Sequence, residues 1–286
     1  MSYVNGTEML RKAMNQGYGI GAFNVYNFET VKAVIQGASE AKAPVMIQIW
    51  PGYFDMGVIS AKSIASIVKA EAEAADIPVS LHLDHCENLE GIMQSIVAGF
   101  GSVMIDASVH KYADNVRISK KIVEIAHCVG VGVEAELGHV SFGDCSAEGA
   151  EGQNVLTLPE EAASFIKDTN VDSLAISVGT VHGIYKEEPK LDFSRVERIS
   201  EITDIPLVLH GSSYVAEEEL SRMIKCGITK VNFATELSIN MVSGIKEAIK
   251  SNPDCIFANE ITGVGMDKVK TLVKQKIAAL GAEGKG

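Results

Sequence analysis

Eight short apolar runs alternate with longer amphipathic stretches along the 286-residue chain, and this rhythm limits the fold to very few architectures. The runs are Gly19–Ala22, Val45–Ile49, Val79–Leu83, Val103–Ile105, Val131–Glu136, Ser173–Ser177, Leu207–Leu209 and Lys230–Phe233. They are continuously apolar rather than alternating, as strands buried on both faces must be. Between them Glu29–Ala41, Ala61–Ala75, Leu89–Ala98, Ala113–Cys128, Pro159–Thr169, Phe193–Thr203 and Glu217–Cys226 carry apolar residues at i, i+3 and i+4. Eight strands each followed by a helix predict an α/β chain closed into a (β/α)8 TIM barrel, one domain spanning residues 1–286. An open doubly wound sheet is disfavoured, because no Gly-rich dinucleotide fingerprint follows the first strand. Asn252–Gly265 reads as a loop and Met266–Ala279 as an extra C-terminal helix. There is no low-complexity segment and no sequence repeat.

Composition narrows the function. Hydrophobic residues make up 47% and charged residues 22%, enough for a large core. The net charge of -12 argues against nucleic acid as a partner. It does not exclude a phosphorylated small molecule, which a metal and a few backbone N–H groups can bind. The five cysteines are scattered, with no CxxC pair, as in a reduced intracellular protein. No apolar run reaches about 18 residues and the N-terminal segment has no signal-like core, so a cytoplasmic protein without a membrane partner is expected.

The chemistry gathers at the ends of the strands. Asn24 follows the first, Gln48 and Trp50 end the second, and Asp84-His85 ends the third. Asp106 follows the fourth, and the fifth carries Glu134 and Glu136. Gly179–Gly183 follows the sixth, His210–Ser213 the seventh and Asn232–Thr235 the eighth. C-terminal strand ends open into the mouth of such a barrel, so this alignment points to a site. His85, His182 and His210 provide three imidazoles for one metal, with positions left open for water or substrate. Asp106 and Glu136 are candidates for partners of those ligands or for a second metal position. His110 and His127 read as helix residues, His82 as a buried, hydrogen-bonded histidine, and His139 as the entry to a loop. Gly183, Gly211, Ser212 and Ser213 offer close backbone approach and hydroxyl donors to a phosphate. Thr235 is placed to cap the helix after the last strand, where the helix dipole meets an anion.

One stretch is irregular. Residues 137–158, LGHVSFGDCSAEGAEGQNVLTL, have no period. A loop this long inside a compact domain is usually functional, and here it follows the fifth strand at the active end.

Several segments together resemble the class II ketose-bisphosphate aldolases, the fructose- and tagatose-bisphosphate aldolase group. They are GAFNVYNFE (21–29), LHLDHC (81–86), SVMIDAS (102–108), VEAELG (133–138), SLAISVGTVHGIY (173–185), LDFSRV (191–196), PLVLHGSS (206–213) and KVNFATEL (230–237). The resemblance covers nearly the whole chain, in the family's order and spacing. It implies that His85, His182 and His210 hold a catalytic Zn2+, and that Asp106 and Glu136 form the alternative metal position. It implies that Asp84 is the acid serving the hydroxyl of the aldehyde half. Dihydroxyacetone phosphate would be held by Gly183, Gly211, Ser213 and Asn232, Phe233, Ala234 and Thr235. Asn24, Gln48 and Ser212 are further substrate-binding candidates. A monovalent cation (Na+ or K+) near the phosphate and a homodimeric or homotetrameric assembly are also implied. Zinc would act as a Lewis acid on the carbonyl and hydroxyl oxygens, and Asp84 would accept the C4 hydroxyl proton in cleavage.

Three departures from the family pattern bear on the substrate. The mobile-loop glutamate that moves the second proton does not align cleanly; Glu148 is favoured over Asp144 and Glu151. Tyr214 stands where the family has a glycine after the strand-seven serines. Trp50 replaces a small serine-containing turn, either facing the mouth or packing under the loop. With the bulk that Tyr214 adds, an altered or narrowed acceptor specificity is expected. Fructose bisphosphate, tagatose bisphosphate and a ketose carrying only a 1-phosphate all stay open. Two rival readings are a Schiff-base aldolase using Lys230 and a non-catalytic sugar-phosphate-binding homologue.

Overall fold

A computed structural model describes residues 2–141, 155–185 and 189–286 of the protein. Its eight strands are β1 (Ile20–Asn24), β2 (Val45–Ile49), β3 (Val79–Cys86), β4 (Ser102–Ile105), β5 (Gly132–Leu137), β6 (Ser173–Ile176), β7 (Leu207–Leu209) and β8 (Ile228–Phe233). All pairings are parallel and run in chain order, with β8 returning to β1 to close the barrel. Every strand residue except His85 is buried, which accounts for the unbroken apolar runs.

The helices form the outer ring. They are α1 (Gly6–Gln16), α2 (Phe28–Glu40), α3 (Gly52–Asp55), α4 (Ala61–Glu73), α5 (Leu89–Ala98), α6 (Tyr112–His127), α7 (Pro159–Thr169), α8 (Phe193–Ile202), α9 (Glu217–Cys226), α10 (Thr235–Ser251) and α11 (Ala258–Ala279). Local sequence sets many of the ends. Asn27 and Thr30 form a capping box on α2, Asn88 accepts from Gly91 N–H on α5, and Pro159 opens α7. Among the described residues no helix is long and apolar enough to cross a membrane.

Three elements differ from the sequence reading, the four-residue α3 after β2 being the shortest. The short, mostly polar α1 precedes the barrel and packs on β3, β5 and β8, with Met9, Leu10 and Ala13 buried. The segment read as a loop to Gly265 is helical from Ala258 onward. Its Gly265 is there for contact, not for a turn. A Cβ on Gly244 of α10 would lie 2.5 Å from Gly265 Cα, so the two helix backbones meet directly. Glycine lowers helix propensity, and tertiary packing overrides it here.

Inside the barrel, side chains two apart on a strand share a face. His82 and Asp84 of β3, Glu134 and Glu136 of β5, and Lys230 and Asn232 of β8 therefore stack from the interior toward the mouth, all buried.

Candidate active site at the barrel mouth

Asp84 and His85 are consecutive, and a regular strand would send them to opposite faces. The β3–β4 register shifts between Leu83 and Cys86, and His85 takes the left-handed value φ 47°. A β-branched or bulky residue is strained there, and the irregularity is what turns the His85 side chain toward the mouth beside Asp84. His182 arrives on the loop after β6 and His210 directly after β7.

The three imidazoles converge. Ring centroids are 4.5 Å apart for His85 and His210, 4.9 Å for His85 and His182, and 5.8 Å for His182 and His210. One nitrogen of each lies within 4.8 Å of the others, and His85, Asp106 and Glu136 form a second set by the same measure. Carboxylates hold two of the rings. His85 Nδ1 donates to Asp106 Oδ2 at 2.7 Å, and His210 Nε2 donates to Glu134 Oε1 at 3.0 Å. Each carboxylate can only accept, so each selects the tautomer of its histidine.

The electrostatics suit a cation. Burial, then His85 and His210, push the His182 imidazole well below its usual range, so it is neutral. Burial and His85 also press His210 down, but Glu134 and Glu136 outweigh them and raise it. The two carboxylates thus favour positive charge at this spot, either as a proton or as a metal ion. Three converging imidazoles, two of them oriented by carboxylates, are a donor set that Zn2+ accepts.

Asp84 is held from two sides. Asn24 Nδ2 donates to its Oδ2 at 2.8 Å and Asn232 Nδ2 to its Oδ1 at 3.1 Å. Gln48 Nε2 in turn donates to Asn24 Oδ1 at 2.6 Å. Burial raises the Asp84 carboxyl, but His85, Lys230, His210 and the Asn24 bond outweigh it and hold it below the usual carboxylate range. It is therefore ionised, the form in which it can accept a proton. Asn24 and Asn232 line the cleft with Asp84, whereas Gln48 is fully buried behind Asn24 and is not among the residues lining it.

The phosphate candidates lie on three adjoining loops. Gly183, Gly211, Ser212, Ser213, Ala234 and Thr235 all line the same cleft. Gly211 (φ 64°) is required, since a Cβ would come within 2.5 Å of Val181 O. Tyr185 clamps these loops, accepting from Val181 N–H and donating to Gly211 O. Thr235 differs from its expected role: it is the first residue of α10, Ala234 is at the cap position, and no side chain caps that end. The N-cap residue therefore takes none of the first-turn N–H groups of α10, although Ser213 from the β7 loop takes that of Glu236. Ser212 Oγ is turned inward to Leu209 O, and Ser213 Oγ accepts from Glu236 N–H. Phe233 is a core residue, stacked on Phe23 at 5.2 Å and absent from the cleft lining.

Residues 4–285 match the family model described as fructose-bisphosphate aldolase class-II. The chain belongs to the class II fructose-bisphosphate aldolase family. Among solved structures it is similar to the YdjI aldolase from Escherichia coli K12, with 33% identity over 99% of both chains and a TM-score of 0.86. It shares its fold with a fructose-bisphosphate aldolase from Campylobacter jejuni, at 22% identity, 100% of this chain, 97% of that one and a TM-score of 0.85.

The remaining site expectations can be placed on this aldolase. Glu148, Asp144 and Glu151 lie outside the described residues. The ends of their loop are pinned together where His139 and Val155 exchange backbone hydrogen bonds. Tyr214 keeps the left-handed backbone (φ 64°), but its ring is 45% exposed and is not among the residues lining the cleft. It does not narrow the site in the way its bulk suggested. Trp50 lines the cleft and also packs on its own loop, so both sequence alternatives hold together. His82 is buried on Ser102 Oγ at 2.8 Å, as expected. Glu134 and Tyr185 gained no role from sequence reasoning. For Glu134 the signal was its i, i+2 spacing from Glu136, which puts both on one face of β5; for Tyr185 there was none.

Proposed function

We propose that this aldolase reversibly cleaves a phosphorylated ketose, a 1,6-bisphosphate or a related 1-phosphate, to dihydroxyacetone phosphate and an aldehyde such as glyceraldehyde 3-phosphate. The observation carrying this reading is the convergence of His85, His182 and His210 at the cleft that Asp84 and His182 line, with His85 and His210 set behind its surface. The three histidines would hold Zn2+, which supplies Lewis-acid polarisation of the substrate's carbonyl and hydroxyl oxygens. Asp84 then accepts the C4 hydroxyl proton in cleavage and returns it in condensation. Asn24 and Asn232 keep its two oxygens aimed, so no reorganisation is needed when the proton moves. Gly183, Gly211, Ser213 and the start of α10 receive the phosphate through backbone N–H groups and the helix dipole, which operate despite the net charge of -12.

The Schiff-base alternative finds little support. Lys230 Nζ lies inside the barrel, committed to Glu134 Oε2 at 2.8 Å, and does not line the cleft. The test is a cleavage screen of phosphorylated ketoses with Zn2+, after chelation, and with borohydride present. Activity that vanishes on chelation and returns with Zn2+ is expected. Chelator-resistant cleavage, or a substrate adduct on Lys230, would sink the zinc reading; binding without turnover would favour the non-catalytic homologue.

A further inference from the structure

The cleft has an aromatic wall. Trp50 follows β2, four strands around the closed barrel from β6, whose loop carries His182 and Gly183. Tyr53 of α3 and Tyr26 after β1 line the cleft beside it. The wall is built rather than incidental. A Cβ on Gly52 would lie 2.2 Å from the Trp50 six-membered ring, so the indole occupies space that only a glycine leaves free. Tyr53 meets that ring edge-on, at 5.6 Å and 85°, and Tyr26 braces Tyr53 at 6.1 Å.

Geometry assigns this wall to one half of the substrate. The phosphate end belongs to the β6–β8 loops, and Asp84 serves the hydroxyl at the cleaved bond. The carbons beyond that bond would extend from Asp84 into the part of the cleft not taken by the phosphate loops, whose lining includes Trp50, Tyr53 and Tyr26. An indole face packs against the C–H face of a sugar chain, and tyrosine hydroxyls bond its hydroxyls. A second phosphate asks instead for a cationic fork or ammonium. Among the described residues that line the cleft none is Lys or Arg.

We propose that Trp50, braced by Gly52 and Tyr53, determines specificity for the aldehyde half and selects ketose 1-phosphates whose far carbons bear hydroxyls rather than a second phosphate. The proposal rests on the aldolase reading above. Two measurements on the Zn2+-loaded enzyme test it. The first compares kcat/KM for fructose and tagatose 1-phosphates with their 1,6-bisphosphates. The second follows exchange of the C3 proton of dihydroxyacetone phosphate with solvent deuterium, which needs no aldehyde half. The 1-phosphate is expected to be preferred by about tenfold or more within at least one of the two sugars. Trp50→Ala should lower its cleavage by about tenfold while exchange changes by less than about twofold. Gly52→Ala, which keeps the indole but displaces it, should shift cleavage in the same direction. A preference for both bisphosphates, or equal losses in cleavage and exchange, would overturn the proposal. Wild-type enzyme that shows no exchange at all would instead overturn the aldolase reading.

Discussion

Glu134 Oε1 accepts a hydrogen bond from His210 Nε2 at 3.0 Å, in the fully buried floor of the site. That bond leaves Nδ1, 3.2 Å from Glu136, as the nitrogen able to present a lone pair. Glu134 is fixed in turn by Lys230 Nζ at 2.8 Å. Glu134→Gln keeps the shape but has one acceptor oxygen where the carboxylate has two, so its amide NH2 confronts either His210 Nε2–H or Lys230 and the remaining bond is weaker. Zinc affinity is expected to fall by about 10- to 100-fold, read by competition with a chromophoric chelator. Unchanged affinity would remove Glu134 from the role of orienting His210.

Asp84 is tested separately from the metal. Asparagine at this position cannot take a proton, and its amide would confront the donating amides of Asn24 and Asn232. Asp84→Asn is expected to lower kcat by about 10²- to 10⁴-fold, with the bound zinc still near one ion per chain by elemental analysis. A loss below about tenfold would assign the proton transfer to another group.

Stability should carry the signature of His82. Burial first, then Lys230, lowers its imidazole to about 3. A group depressed on folding contributes stability above its unfolded pKa, about 6.5, and loses it as pH falls below that value. The chelated protein should therefore lose about 2 kcal/mol through His82 between pH 7.5 and 5, seen as a lower urea midpoint. His82→Gln removes this contribution, so the variant's midpoint should fall less over the same interval. Parallel curves for the two proteins would show that His82 is not buried as a neutral ring.

Much of the site was legible in the chain because its chemistry sits at strand ends. Once the barrel is inferred, residues such as His182 and His210 must meet at its mouth, however far apart they are in sequence. Legibility failed where a side chain's role depends on its immediate surroundings. Phe233 follows Asn232 by one position, yet it stacks on Phe23 in the core while Asn232 reaches Asp84. Tyr214 occupies a glycine-like backbone position, and only its outward direction shows that it leaves the cleft free. Gly263 and Gly265 read as loop residues because propensity is local, whereas their helix is held by contact with α10.

The sequence by itself determined the strand count, the closed parallel barrel and the family, because hydrophobic period and motif order are properties of the chain alone. Only the tertiary structure decided the bulge that turns Asp84 and His85 to one mouth, the carboxylates that orient His85 and His210, and the packing of Trp50, Tyr53 and Tyr26 into one wall of the cleft. Those are relations across the barrel, set by register, burial and the few ångströms between residues distant in sequence.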